Sequence, residues 1–191
     1  MFCREAKMSE QLLVMHCSPT LAGIKTGSLF GCRCACRKKL FCILRRWNRM
    51  FNPKGVYVKA FCSRPGWFLI YVYRKNQLER DLFSPDACAF LETYGYTQKD
   101  DLYEIFRRLS LRLRENSEFP HEIGLFLGYP LADVKGFIEN KGRNCKCSGC
   151  WKVYEDEEKA QKLFIKYRKC TDIYCQKLKE GTSILRLTVA A

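Results

Sequence analysis

Two strand-like stretches joined by a short turn do most to limit what this chain can fold into. Val56-Tyr57-Val58-Lys59-Ala60-Phe61 is rich in β-branched and aromatic residues, Ser63-Arg64-Pro65-Gly66 carries turn chemistry, and Trp67 to Tyr73 is again aromatic and branched. The pattern predicts a β-hairpin over Gly55–Tyr73. Its second strand is almost continuously apolar, so both faces need cover, which puts it in a central position of its sheet.

The flanks read mainly as helices. Upstream, Gln11 to Phe30 begins with the apolar run Leu12–Met15 and then meets Pro19, Gly23 and Gly27, which predicts a strand running into a loop. Leu40, Ile43, Leu44 and Trp47 fall at helical spacing, so the second half of Gly31–Phe51 is expected to be helical. Downstream, Ser84-Pro85 opens a helix that ends near Tyr94-Gly95. Asp100 and Asp101 open another, with Leu102, Ile105, Phe106, Leu109 and Leu113 on one face and Arg112 and Arg114 at its end. Pro120 to Gly128 and Pro130 to Gly142 are two short segments with proline at the start and glycine at the end. Gly149–Tyr154 reads as a strand. Asp156, Glu157 and Glu158 then open the longest helix, which Gly181 ends, and Ser183–Val189 reads as a last strand.

The expected fold class is therefore α+β. A single domain over 1–191 holds a small sheet with a central hairpin and the Trp151 strand, packed by several helices including a long C-terminal one. Residues 1–10 are expected to be flexible, and 31–51 reads as an insertion-like segment, basic and cysteine-rich. A chain of 191 residues is one domain in length and buries roughly 70% of its unfolded surface, enough for a core without staples. With 47% hydrophobic and 28% charged residues, bulk disorder is excluded.

Charge narrows the partners. Lys and Arg number 34 against 20 Asp and Glu, a net charge of +14. No acidic residue lies between Glu10 and Glu79, a span with thirteen Lys and Arg, among them Arg37, Lys38, Lys39, Arg45, Arg46 and Arg49. Such a block attracts anions: an anionic small ligand, nucleic acid, an acidic protein or an anionic membrane surface. The thirteen cysteines are odd in number, Met1 to Glu5 has no signal-type apolar run, and no segment approaches the ~20 apolar residues of a membrane span. A reducing cytoplasm, with thiols free or metal-bound, is the expected location.

Three constellations can carry chemistry. The chain's two histidines, His16 and His121, are followed directly by Cys17 and Glu122. Two histidines cannot make a three-histidine metal site, and a Cys–His pair needs the fold to bring Cys17 or another cysteine to His121. The plainer reading has each histidine holding a loop or a helix start. Among the cysteines, Cys147 and Cys150 alone have knuckle spacing and are the candidate metal ligands, while Cys170 and Cys175 lie about 140° apart on a helix. In the helix pair 120–142, Ile123, Leu127, Gly128, Val134 and Ile138 sit where a helix-turn-helix buries residues and turns. Its second helix begins Leu131-Ala132-Asp133, with Lys135 but no Arg, Asn or Gln in the first turn to read bases. A helix hairpin in the core explains the same residues. Trp47, Tyr57, Phe61, Trp67 and Tyr71 in the basic span can stack bases, or simply form a strand core.

Three segments taken together carry a resemblance: His16-Cys17-Ser18-Pro19-Thr20-Leu21-Ala22-Gly23, Phe119-Pro120-His121-Glu122-Ile123-Gly124 through Gly128-Tyr129-Pro130, and Gly149-Cys150-Trp151-Lys152-Val153-Tyr154 with the helix after it. From about Leu12 to Leu178 the chain resembles the bacterial family catalogued as domain of unknown function 3793. That family has no established activity, so the resemblance implies positions and not a reaction. Both histidines, Cys17, Glu122, Cys150 and Trp151 lie inside its motifs, whereas Cys32, Cys34, Cys36 and Cys145 do not.

The leading expectation is a ligand, redox or catalytic site where the His16-Cys17 loop meets the His121-Glu122 helix start, with a helix N-terminus there lowering a thiol pKa. His16, Cys17, His121 and Glu122 are its candidate catalytic residues. Thr20, Lys25, Trp151, Arg45 and Arg46 are the candidate binding residues. The alternatives are nucleic-acid binding by the span 25–75 or the pair 120–142, and a partner-binding module with a basic face. No cofactor is named by any motif.

Overall fold

The structure is a computed structural model that describes residues 9–97, 100–115 and 119–190; residues 1–8, expected to be flexible, lie outside the described residues. Its centre is an antiparallel three-stranded sheet of β1 (Gly27–Arg33), β2 (Val56–Arg64) and β3 (Trp67–Arg74) in the order β1-β3-β2. The hairpin forms as its sequence predicts, and β3 is the middle strand. Ile70 lies opposite Phe30 on one side and Ala60 on the other.

Strand periodicity divides the core in two. Phe68, Ile70 and Val72 of β3 point to one face, where α1 (Glu10–Leu21) and α2 (Arg37–Phe51) bury Leu13, Val14, Cys17, Leu40, Leu44 and Trp47. Leu69, Tyr71 and Tyr73 point to the other, beneath α3 (Lys75–Leu82), α4 (Pro85–Glu92) and α5 (Leu102–Glu115). There the Phe106 ring packs at 5.2 Å on Tyr73 and 6.0 Å on Tyr71. Each such side chain contributes about 1.5–3 kcal/mol on full burial, so covering both faces of β3 is the main stabilising act of the fold.

Two short helices follow, α6 (Ile123–Phe126) and α7 (Leu131–Glu139), and then a tiny second sheet of β4 (Cys147–Ser148) and β5 (Lys152–Val153). The long helix α8 (Glu157–Lys179) starts where the Asp156 carboxylate accepts from the Lys159 N–H at 3.0 Å, and α9 (Ile184–Leu187) closes the described chain. The architecture is α+β.

Three expectations need correction. Residues 10–21 are a helix, not a strand running into a loop. Ser9 caps it by accepting from the Leu12 N–H at 3.3 Å, and Leu13, Val14, Cys17 and Leu21 recur at helical spacing on the buried face. Pro19 sits inside its last turn. The Trp151 segment does not join the main sheet but forms the β4–β5 hairpin around Gly149. Within Ser183–Val189 a short helix over Ile184–Leu187 replaces the expected strand, because the Ser183 hydroxyl caps the Arg186 N–H and Ile184 and Leu187 dip into the α1–α2 cluster. The segment 31–51 supplies the end of β1 and all of α2, and β1 itself carried no strand signal, since Gly27, Gly31 and Arg33 break its pattern. Gly27 is required by contact: a Cβ there would lie 2.5 Å from the Phe126 carbonyl oxygen and 2.7 Å from the Tyr71 ring.

Arg74 ends β3 and is 3% exposed. Its Nε donates to the Thr20 carbonyl at 2.6 Å, and Nη2 to those of Leu21 (2.6 Å) and Val189 (2.9 Å). The guanidinium thus satisfies carbonyls at the end of α1, where cations suit the helix dipole, and ties the C-terminal segment to the sheet. Arg74→Met should lower unfolding stability by about 3 kcal/mol, since it strands these carbonyls, and Arg74→Lys should recover only part of that loss. Urea denaturation of the two variants reads both effects; an unchanged midpoint in Arg74→Met would rule out this role.

Candidate functional site

The second core face leads to the site. The Tyr71 hydroxyl donates to the Phe126 carbonyl at 2.5 Å, which fixes α6 over the sheet. Glu122, one turn before, is 0% exposed. Arg112 of α5 grips its carboxylate through Nε and, at 3.3 Å, through Nη2, and the Tyr96 hydroxyl donates to it at 3.2 Å. Glu122 therefore anchors this turn to α5 by a forked, charge-assisted pair. Burial and the Glu122 charge together push the Tyr96 hydroxyl well above its usual pKa, so it stays a donor.

With Glu122 turned inward, His121 faces outward, its ring edge-on to Phe137 at 4.9 Å and near Phe119 at 6.4 Å. These rings form one wall of a cavity of about 420 Å³ between α6–α7 and the β4–β5 hairpin. Trp151, Tyr129, Val134 and Lys152 form the rest, and Gly124 and Gly149 allow close packing, since a Cβ would lie 2.7 Å from Val134 at the first and closer still to the Phe164 ring at the second. The hairpin is held there by Asp133, 3% exposed. Its Oδ2 accepts from Trp151 Nε1 at 2.7 Å, and its Oδ1 from the N–H groups of Tyr154 (2.7 Å) and Glu155 (3.0 Å). Trp151 also stacks on Tyr129 at 4.9 Å and meets the edge of Phe164 at 4.6 Å. Lys152 Nζ donates to the Gly142 carbonyl at 2.5 Å and stands 6.0 Å from the Phe137 ring.

The structure brings some expected residues together and separates others. His121 and Trp151 share the cavity wall. Lys25 lies just behind it, its ammonium 5.3 Å from the Tyr129 ring and 6.0 Å from that of Tyr167. Burial lowers the Lys25 pKa, while the nearby Cys150 and Cys17 thiols raise it. Tyr129 donates to the Cys150 carbonyl at 3.0 Å. His16 is elsewhere, on the exposed side of α1, stacked on Phe30 at 5.1 Å. Cys17, next to it in the chain, turns about 100° into the core and is 0% exposed. Burial pushes its thiol well above the usual range despite Lys25, the opposite of the lowered pKa expected of it. Thr20 is also internal, its hydroxyl 2.9 Å from that of Ser28.

Cys147 and Cys150 lie on the β4–β5 hairpin, and among the described residues no three His, Cys, Asp or Glu side chains gather as metal ligands. None of the cysteines with described side chains is in a disulfide. Arg45 and Arg46 are exposed on α2. In the helix pair, Ile123 to Phe126 are all buried, and Asp133 serves the hairpin instead of facing phosphate, leaving Lys135 and Glu139 as the exposed positions of α7. Sequence reasoning missed Arg112, Tyr129, Asp133 and Phe137. Asp133 in the first turn of α7 reads as an ordinary dipole partner, and nothing local links it to Trp151.

The fold and cavity define an α+β protein with an aromatic chamber built between a helix pair and a small hairpin. The chain belongs to a family described as "Protein of unknown function (DUF3793)", whose model matches residues 13–188. No curated protein and no solved structure matches the chain. No helix among the described residues is long and apolar enough to cross a membrane.

Two measurements follow from this arrangement. Asp133→Ala should destabilise the protein by about 3 kcal/mol, because it leaves the indole N–H and two backbone N–H groups without their acceptor, with Asp133→Asn intermediate. Denaturant unfolding reads both, and wild-type stability in the alanine variant would refute the role. Under native conditions at pH 8, iodoacetamide should modify Cys36, Cys42 and Cys150 and leave Cys17 untouched until the protein unfolds. Peptide mass mapping over time distinguishes them, and Cys17 alkylated as fast as Cys42 would contradict its burial.

Proposed function

We propose that this protein binds a small organic molecule with a flat apolar body and an anionic group, in the chamber between α6–α7 and the β4–β5 hairpin. The observation that carries the reading is a cavity of about 420 Å³ walled by Phe119, His121, Tyr129, Phe137 and Trp151, with Lys152 at its edge. That volume is in the range of small-molecule sites, about 300–1,000 Å³, and an apolar chamber with a few convergent polar groups is their usual form. Aromatic walls suit a planar ligand through offset and edge contacts.

The polar groups favour an anion over a cation. Lys152 uses one of its three N–H donors on Gly142, which leaves two to offer. His121 presents an exposed imidazole at the wall. Asp133, the carboxylate of the lining, already accepts three hydrogen bonds and has little to offer a cationic ligand. Binding is better supported than catalysis by the expected Cys17 and Glu122. The first is sealed in the α1 core, and the second is locked by Arg112.

Isothermal titration against a panel of aromatic carboxylic acids, each with its neutral carboxamide, tests this reading. At least one acid should bind at a single saturable site, with its amide about tenfold weaker, a difference near 1.4 kcal/mol. Lys152→Met should reduce that preference. His121→Trp, a substitution at an exposed position, should block the mouth and remove binding of both forms. A binder unaffected by His121→Trp, or a panel with no binder at all, would reject the chamber as the site.

A further inference from the structure

Eleven of the thirteen cations of the acid-free span fall into two groups once their surroundings are known. Arg74 is buried on carbonyls, and Lys25 rests on Tyr129 and Tyr167. Lys54 donates to the Leu185 and Thr188 carbonyls, Lys59 covers the Phe106 ring, and Lys75 pairs with Glu79. All five have duties within the fold. The second group is gathered on α2, where Arg37, Lys38, Lys39, Arg45, Arg46 and Arg49 are all exposed. The helix contains no acidic residue, and no ion pair among the described residues includes one of its side chains.

This arrangement works against the isolated protein. Arg37, Lys38 and Lys39 occupy the first turn of α2, the positive end of the helix dipole, and Cys36 offers no side-chain cap there. Arg45 and Arg49 form a like-charged pair at i and i+4. Neighbouring cations without counter-charges lower stability, and a bound polyanion relieves that strain.

We infer that the exposed face of α2 is a docking surface for the phosphodiester backbone of nucleic acid, recognised by charge and not by sequence. The dimensions agree. Fifteen helical residues span about 22 Å, and a strand of duplex presents a phosphate about every 3.4 Å, so six cations meet about six phosphates. The chemistry of the face disfavours other polyanionic surfaces. Insertion into a membrane needs the apolar side of the helix, yet Leu40, Leu44, Trp47 and Phe51 are locked in the core. Docking of an acidic protein draws on exposed Trp or Tyr anchors besides Arg, and the large hydrophobic side chains exposed among the described residues include none from α2. With no Asn or Gln on its exposed side, the face lacks the bidentate partners that read adenine. This surface shares no residue with the cavity, so the two proposals stand or fall separately.

Fluorescence anisotropy of the full chain with a labelled 20-base-pair duplex and a 20-nucleotide single-stranded RNA, each at 50, 100 and 200 mM NaCl, tests the inference. Affinity should fall with salt along a log–log slope of about −5 for the duplex and about −4 for the single strand, and vary little among unrelated sequences. Arg45→Gln with Arg46→Gln should weaken binding about tenfold at 100 mM NaCl and reduce the slope by about two, while the thermal midpoint stays level or rises. Lys166→Gln with Lys169→Gln, an equal charge change at exposed positions of α8, should leave affinity and slope near wild type. Duplex against RNA shows which source of phosphodiester is preferred. A flat salt response, an equal loss in the α8 variant, or tighter binding to phosphatidylserine vesicles than to either nucleic acid would overturn the inference.

Discussion

The Arg74 guanidinium is the point at which three parts of the chain become one structure. It ends the central strand, and its three acceptors belong to the last turn of α1 and to the C-terminal segment. An arginine suits this position because its planar fork addresses several carbonyls at once, and it keeps its charge even when buried. With α1 fixed, the loop after it places Thr26 against Asp81 at 2.5 Å and Lys25 against Tyr129. On the opposite face, Tyr71 of the same strand holds α6 through Phe126. The cavity is thus assembled outward from the two faces of β3.

Buried carboxylates complete that assembly. Glu122 joins the turn before α6 to α5, and Asp133 joins the hairpin to α7. Each is buried and meets three donor contacts, the condition under which a buried acid holds structure together without a large desolvation penalty. Their inward placement has an outward consequence. The basic residues of α2 have no acidic neighbours in their own span, and two of the acids elsewhere are engaged inside, so the positive charge at that surface is left unbalanced.

The fate of the His16-Cys17 pair shows why the candidate site was half legible. A four-residue apolar run followed by proline looks like a strand meeting a breaker, a pattern that predicts a loop at these residues. A serine cap and four apolar residues at helical spacing outweighed that signal, and the break that Pro19 makes falls where the helix is already ending. On a helix the two neighbours face different environments, which leaves His16 outside and seals Cys17 in the core. His121 and Trp151 lie in the family-like motifs and share the cavity wall, where the first packs on Phe137 and the second is held by Asp133, residues outside those motifs.

What the sequence determined by itself is the part governed by local periodicity and caps. That part comprises the hairpin and its central strand, the amphipathic faces of α2, α5 and α8, the boundary residues of α5 and α8, and the basic character of α2. These features repeat every two or 3.6 residues and carry their own start and stop signals. Only the tertiary structure decided the third strand, the separation of the Trp151 hairpin from the main sheet, and the cavity with its wall residues. Each depends on contacts between distant segments, such as Trp151 with Asp133 or Phe126 with Tyr71, and uses elements too short to show a period or, in β1, a strand whose pattern Gly27, Gly31 and Arg33 break. Long-range packing chose among local conformations of similar energy, and that choice placed His121 and Lys152 on one chamber while hiding Cys17.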